Sequence, residues 1–421
     1  MEKLKICLLN DSFPPAIDGV ANAVVNYARI IQQSGGKVIV GTPQYPEAVD
    51  DYSFPVVRYP SFDTTRLVGY RAGYPFSPRA IEALEAFQPN LIHSHCPVTS
   101  NLLARTVRER LDVPVVFTYH TKFDIDIAHA VEGQLLRAAA VHLLVRNIEA
   151  CDEVWVVSRG AGENLRSLGY QGDYVVMENG VDFPRGGAGE AEAAALRAEL
   201  GIPPETPVYL FVGRMMWYKG IRLILEALRR YRDSGGTFCM LLIGDGAERQ
   251  EMEALSHTLG LDGCCRFWGA ERDRTRLRTV FSLADLFLFP STFDTNGIVV
   301  REAAACGLPS VLIRGSCAAE GVEDGKNALL IEESAESLYR LLCQVGGNRR
   351  ALRQIGARAM AELYISWEDS VRRACDRYQT VIANYRRGLT DRSFEWSDEI
   401  FSLMDNLCEG IERARELRQR R

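Results

Sequence analysis

The chain is short of lysine. Lys3, Lys5, Lys37, Lys122, Lys219 and Lys326 are the whole set, and arginine carries the rest of the positive charge. Guanidinium forks suit carboxylate and phosphate ligands, although genome composition accounts for such a bias equally well. Positive charge is not in excess either: the net charge is −6, which argues against a dedicated nucleic-acid binder. Long apolar runs are missing, so no segment reads as a membrane span. The first apolar run stops at Leu9 and reads as a strand, not a signal peptide. Cysteine is present, with 11 residues, but without ligand spacing. Cys7, Cys151, Cys239 and Cys306 lie in apolar stretches, as reduced, buried thiols of a cytosolic protein do. Cys264 and Cys265 are adjacent with no second pair, so zinc is not expected.

What is there is an α/β protein. At 421 residues the default is two domains, and apolar and charged fractions of 47% and 25% are those of a soluble globular chain. Strands are expected at 5–10, 37–41, 56–59, 91–93, 115–119, 153–157 and 174–177. Helices are expected at 20–34, 78–87, 99–111, 131–150 and 160–168. That alternation predicts a doubly wound, mostly parallel sheet. Residues 186–206, rich in Gly, Ala, Glu and Pro, read as a linker with one short helix. Alternation then restarts, with strands at 208–212, 238–243, 265–268, 283–289 and 310–313. The expected domains are therefore 1–185 and 207–366, both Rossmann-like and facing across a cleft. A helix over 367–387 then crosses back, and a helical tail takes 388–421.

Two segments of the second half carry chemistry. The first, F-V-G-R-M-M-W-Y-K-G at 211–220, follows a strand. Gly213 frees the turn, and Arg214 and Lys219 make it an electropositive clamp for a diphosphate. The second, P-S-T-F-D-T-N-G-I-V-V-R-E at 290–302, puts Asp294 in a loop and Glu302 on the next helix. Asn296 can cap that helix, Gly297 lets a ligand approach, and the free N–H groups of the first turn suit phosphate. A capped helix with Glu302 solvated would read the same way on this segment alone. A phosphate cradle with two hydroxyl acceptors is what a sugar joined to a nucleotide diphosphate needs.

Together these motifs resemble the glycosyltransferases of family 4, of GT-B fold, over about residues 3 to 385. GR-x4-KG is matched in full; the E-x7-E signature is matched in spacing, with Asp294 in place of its first Glu. F-P-P-A-I-D-G-V-A-N, T-Y-H-T (118–121), N-G-V-D (179–182) and E-D-G-K-N-A-L-L-I (323–331) also match. The resemblance implies a retaining, metal-independent transfer of a hexosyl group from a UDP- or GDP-sugar, with no cofactor and no protein nucleophile. Arg214 and Lys219 would hold the diphosphate, Glu302 the ribose hydroxyls, and Asp294 the donor sugar. The amides of Gly297, Ile298 and Val299 would meet phosphate or sugar. Gly19 would approach the donor phosphates, Trp268-Gly269-Ala270 would lie beside the base, and His120 near the donor sugar. The shorter Asp294 leaves the identity of the sugar open.

The acceptor side is weakly encoded. Tyr70 to Phe76 is a polar-aromatic loop and 120–129 a second candidate segment. They suit a saccharide, polyol or lipid headgroup equally well. The stretch 131–147, apolar with Arg137 and Arg146, reads as a core helix; in the resembling family such helices sometimes rest on membranes. A cytoplasmic protein with a peripheral contact at the inner membrane face is compatible with this, and oligomeric state is not encoded. Asp124-Ile125-Asp126 is a metal-type tripeptide, but it reads as an acceptor contact or a solvated turn. His93-Ser94-His95 reads as a structural strand end. Two alternatives stand beside the transferase: a non-catalytic nucleotide-sugar-binding protein, and a sugar-phosphate or sucrose-type synthase. A pyridoxal-dependent phosphorylase is not expected, because Lys326 is the only late lysine.

Overall fold

A computed structural model describes residues 3–16, 18–64, 71–121, 123, 127, 133–295 and 297–390. The chain divides into two compact units. One holds the residues up to Glu178 and those from Trp367 onward; the other is Asn179–Ser366.

In the first unit, β1 (Lys5–Leu9), β2 (Lys37–Pro43), β3 (Val56–Tyr59), a short antiparallel pair β4 (Ser61–Phe62) and β5 (Ala72–Gly73), β6 (Leu91–Ser94), β7 (Val115–Tyr119), β8 (Glu153–Val156) and β9 (Val175–Val176) follow one another. All but the β4–β5 pair form one sheet of order β3-β2-β1-β6-β7-β8-β9. The pairings in that sheet are parallel. Strands buried on both faces need continuous apolar runs, as in VVFTY of β7. Helices Gly19–Gln33, Pro78–Phe87, Thr99–Leu111, Gln134–Glu149 and Arg159–Ser167 connect the strands. Asp18 caps the first, its carboxylate accepting from the N–H of Val20 and Ala21 at 2.8 and 2.7 Å. The long helix Trp367–Arg386 returns to this unit and packs on Gly19–Gln33. Its Tyr378 is fully buried and donates to or accepts from His93 Nδ1 at 2.5 Å.

The second unit repeats the plan with β10 (Val208–Val212), β11 (Cys239–Ile243), β12 (Cys265–Gly269), β13 (Leu286–Phe289), β14 (Ser310–Ile313) and β15 (Leu329–Ile331). Their order is β12-β11-β10-β13-β14-β15, with every pairing parallel. The strand order reverses between β10 and β13. In such sheets the crevice beyond the strand C-termini at the reversal is where ligands bind. Both chemical motifs of the sequence leave the sheet at that point, one from β10 and one from β13.

Several expectations are corrected. The linker expected at 186–206 does contain its one short helix, but it is packed into the second unit. Helix Glu190–Glu199 buries Leu196 in the second core, and Arg278 donates to the carbonyls of Gly186 and Gly187. Residues 179–185 belong with the second unit, because Val181 donates to the carbonyl of Ile365 and Val181 and Phe183 are buried there. The strand expected from Leu283 begins at Leu286, because the chain turns at Asp285. That carboxylate takes the N–H of Val208 at 2.8 Å and pairs with Arg349 at 3.0 Å. The helix 134–149 is not a core helix along its length. Leu144, Val145, Asn147 and Ile148 are buried, but residues 133–139 are all exposed, with Leu135 85% and Leu143 73% exposed. Expected features at Asp124–Asp126, Tyr70, 131–132, His129, Asn296 and in the tail from 391 lie outside the described residues.

Candidate active site

The β10 loop is built by close backbone approach. Gly213 donates its N–H to the carbonyl of Ile243, and Gly244 donates to that of Gly269, so three strand ends are tied in a row. Gly220, at φ +78°, ends the short 3-10 turn Trp217–Lys219. A Cβ there would lie 2.2 Å from the Pro290 carbonyl oxygen, so only glycine lets the β10 and β13 loops meet this closely.

That contact carries Lys219 to the end of β13. Lys219 is buried, and its Nζ lies 2.6 Å from Asp294 Oδ1. Ser291 Oγ donates to the other carboxylate oxygen at 2.6 Å. The ammonium also faces the rings of Tyr218, Phe289 and Phe293 at 5.5, 5.8 and 5.9 Å. Burial pulls its pKa below the ordinary lysine value, Asp294 opposes this, and nearby Arg214 adds to the fall. Arg214 itself is exposed. The expectation that Asp294 meets the sugar therefore acquires a competitor: in this structure its two oxygens are taken by Lys219 and Ser291.

Gly297, with φ 55° and ψ 47°, opens helix Ile298–Ala305. The N–H groups of Gly297, Ile298 and Val299 find no acceptor among the described residues. They form the anion-attracting end of the helix. Glu302 lies on that helix and is only 6% exposed. Burial raises its pKa, while Arg274, with Nη2 2.5 Å from Oε1, opposes the rise. The strand end Trp268-Gly269-Ala270 closes the edge of the same sheet, with Gly269 at φ +93° and Ala270 exposed.

Arg214, Lys219, Asp294, Gly297, Ile298, Val299, Glu302, Gly213 and 268–270 are thus all on strand C-termini of the second unit. Gly19 and His120 belong to the first. Gly19 is exposed and opens its helix behind the Asp18 cap. His120 ends β7, buried, with Nε2 2.9 Å from His95 Nδ1. Burial lowers its pKa to about 3, so its imidazole is neutral. His93 is a structural strand end, bonded to Tyr378 and, at 2.7 Å, to Thr118 Oγ1. Among the described residues no group of three His, Cys, Asp or Glu side chains stands close enough to hold a metal.

Sequence reasoning missed Arg274 and Ser291, and read His95 only as part of a structural strand end, not as the partner of His120. Arg274 had a signal: it is the first residue of helix Arg274–Leu283, where the helix dipole disfavours a cation unless an anion is at hand. Ser291 had none beyond lying in the 290–302 segment.

Comparison with known proteins gives the family and the fold. The model of Glycosyltransferase Family 4 matches residues 17–185, and that of Glycosyl transferases group 1 matches 192–360. An alpha-monoglucosyldiacylglycerol synthase of Acholeplasma laidlawii is 24% identical over 351 residues, 80% of this chain and 87% of that protein. A D-inositol 3-phosphate glycosyltransferase of Nocardia farcinica is 30% identical over 311 residues, 70% of this chain and 67% of its own. Among solved structures, Anabaena HepE in complex with UDP superposes with a TM-score of 0.72 at 18% identity, covering 90% of this chain and 100% of that one. Sucrose-phosphate synthase of Thermosynechococcus elongatus gives the same TM-score at 22% identity, with the same coverage. With the clamp, the helix end and Glu302 at one sheet reversal, the chain belongs to the family 4 glycosyltransferases and is an enzyme of GT-B fold.

Proposed function

We propose that this glycosyltransferase takes a hexosyl group from a UDP- or GDP-sugar, without metal and with retention at the anomeric carbon, and places it on a lipid headgroup. The observation that carries the donor half is the convergence of Lys219, the open N–H groups at 297–299 and Glu302 beyond β10 and β13. In the transfer the bond from the anomeric carbon to the diphosphate oxygen breaks, and that oxygen takes the electron pair. An acceptor hydroxyl attacks from the same face, and its proton passes to the departing phosphate. Lys219 and Arg214 stabilise charge that grows on the diphosphate, so they act mainly in the transition state. The helix end adds fixed partial positive charge where a metal would otherwise serve. His120, neutral by burial, supplies a hydrogen-bond partner to a sugar or acceptor hydroxyl, not a charge.

The acceptor half rests on helix Gln134–Glu149. Its exposed Leu135, Leu136 and Leu143 stand beside exposed Arg137 and His142, an arrangement suited to a membrane surface. No described helix is long and apolar enough to cross a membrane. The relative from Acholeplasma, named for a glucosyl diacylglycerol product, supports a lipid over a free saccharide. The test is incubation with UDP-glucose, UDP-galactose and GDP-mannose in EDTA, with diacylglycerol in anionic vesicles. An α-linked glycolipid supports the proposal. A β-linked product, a need for metal, or transfer only to soluble saccharides would each remove one part of it.

A further inference from the structure

Glu302 is a buried carboxylate with one oxygen clamped and the other open. Oε1 accepts from Arg274 Nη2 at 2.5 Å. Oε2 has no hydrogen-bond partner among the described residues. Oε2 is not among the sealed, unpartnered polar atoms of the described residues, so it reaches the solvent side and is open to a donor from a ligand. Arg274 is itself held in place. Its guanidinium lies over the Phe183 ring, 4.4 Å from the centroid, and 3.9 Å from Asp182. It sits in the first turn of its helix, where the dipole works against a cation, so its position depends on these partners.

We propose that Arg274 is a positioning residue of the donor site: by gripping Oε1 it fixes Glu302 as a charged group with Oε2 presented to a hydroxyl of the nucleotide. The inference rests on the donor reading above, and adds a residue that neither sequence motif contains. The groups facing Glu302 are Arg274 from helix 274–283, Asp182 from the segment preceding the second core, and Cys306 at the end of its own helix. Asp182 works against ionisation and Cys306 is a neutral thiol, pushed up to about 12 by burial. Arg301, next on the helix, donates to the Leu363 carbonyl. Ionisation of Glu302 therefore depends on Arg274.

Two measurements on the full chain test this. In the first, UDP and GDP affinities are taken by calorimetry for wild type, Arg274→Met, Arg274→Lys, Glu302→Gln and the double variant Arg274→Met/Glu302→Gln. Arg274→Met should weaken binding about tenfold, the scale of one hydrogen bond to a charged group. Arg274→Lys should recover most of that. In the Glu302→Gln background Arg274→Met should change affinity less than about twofold, because its route to the ligand is gone. Equal losses in both backgrounds would overturn the proposal, since Arg274 would then touch the nucleotide directly. The second needs no ligand: the carbon-13 carboxyl signal that disappears in Glu302→Gln is titrated in wild type and in Arg274→Met. A higher titration midpoint in the variant supports the proposal; an unchanged midpoint overturns it. If that midpoint moves while wild type binds neither nucleotide, Arg274 still governs Glu302 and the donor reading is what fails.

Discussion

Lys219 Nζ lies 2.6 Å from Asp294 Oδ1, so the cation proposed to hold the diphosphate and the residue at the place of the family's first Glu are one ion pair. A longer Glu at 294 would have to fold back to make the same contact. The pair explains how a buried ammonium is tolerated before any donor arrives. In the proposed donor site a diphosphate would compete with Asp294 for Lys219 and free the carboxylate for a sugar hydroxyl.

Asp294→Asn should leave Lys219 buried and without its counter-charge. Breaking a buried pair from one side destabilises by about 3–5 kcal/mol; with Asp294 partly exposed, about 2–3 is expected. Urea unfolding measures it. A loss no greater than that of an exposed substitution, within about 0.5 kcal/mol, would show that the pair does not form in solution.

Lys219→Ala should lower kcat by about a hundredfold or more, the scale seen when one oxyanion donor is lost. Arg214, exposed in the free protein, should contribute less to binding of the free donor than to turnover. Steady-state kinetics separates the two. A Lys219→Ala enzyme that loses only affinity, with kcat intact, would place the ammonium outside the transition state.

The first unit should lose stability in mild acid. His93, His95 and His120 are all held below the ordinary 6.5 by burial. Their folded values are depressed, so above 6.5 folded and unfolded chains are alike in these groups. As pH falls, the unfolded chain takes up protons that the folded one refuses. Each histidine should cost about 1.4 kcal/mol between pH 7.5 and 5.5. Asp11, raised by burial, works in the opposite direction. Unfolding at both pH values should show the fall, and His95→Gln should reduce it. A pH-independent stability would mean these rings are open to water.

Gly220→Ala should disturb the donor site through the backbone alone. The added Cβ meets the Pro290 carbonyl oxygen at 2.2 Å, at φ +78°. A loss of about 2 kcal/mol or more, with weakened nucleotide binding, is expected from the clash and the strained φ. Unchanged melting and affinity would show that the two loops do not meet.

Replacing Leu135 and Leu143 by Asp should abolish co-sedimentation with anionic vesicles and leave donor binding as it was. Undiminished vesicle binding would shift the lipid contact elsewhere or remove it.

Much of this was legible before the structure. Strand and helix alternation is written in short apolar runs such as VYLFV and CMLLI, because parallel strands covered on both faces need them. The two loop motifs after β10 and β13 were legible because the close backbone approach there demands glycine, with charge at set offsets. Pairings across long separations were not. Arg274 meets Glu302 over 28 residues and Tyr378 meets His93 over 285, and both are set by packing of whole elements. Helix 134–149 was misread because QLLRAAAVHLLVRNIE is apolar on more than one face, so its pattern does not say which side is covered. The short helix in the Gly- and Glu-rich stretch 186–206 was legible, but its docking through Leu196, with Ala193 packed beside it, was not.

The central claim is that the second unit binds a nucleotide diphosphate through Lys219 and Glu302 without metal. Calorimetric titration of the full chain with UDP and with GDP in EDTA tests it most directly. The account predicts saturable binding of one of them, weakened at least tenfold in both Lys219→Ala and Glu302→Ala. Binding that needs a divalent ion, or that survives both substitutions unchanged, would contradict it.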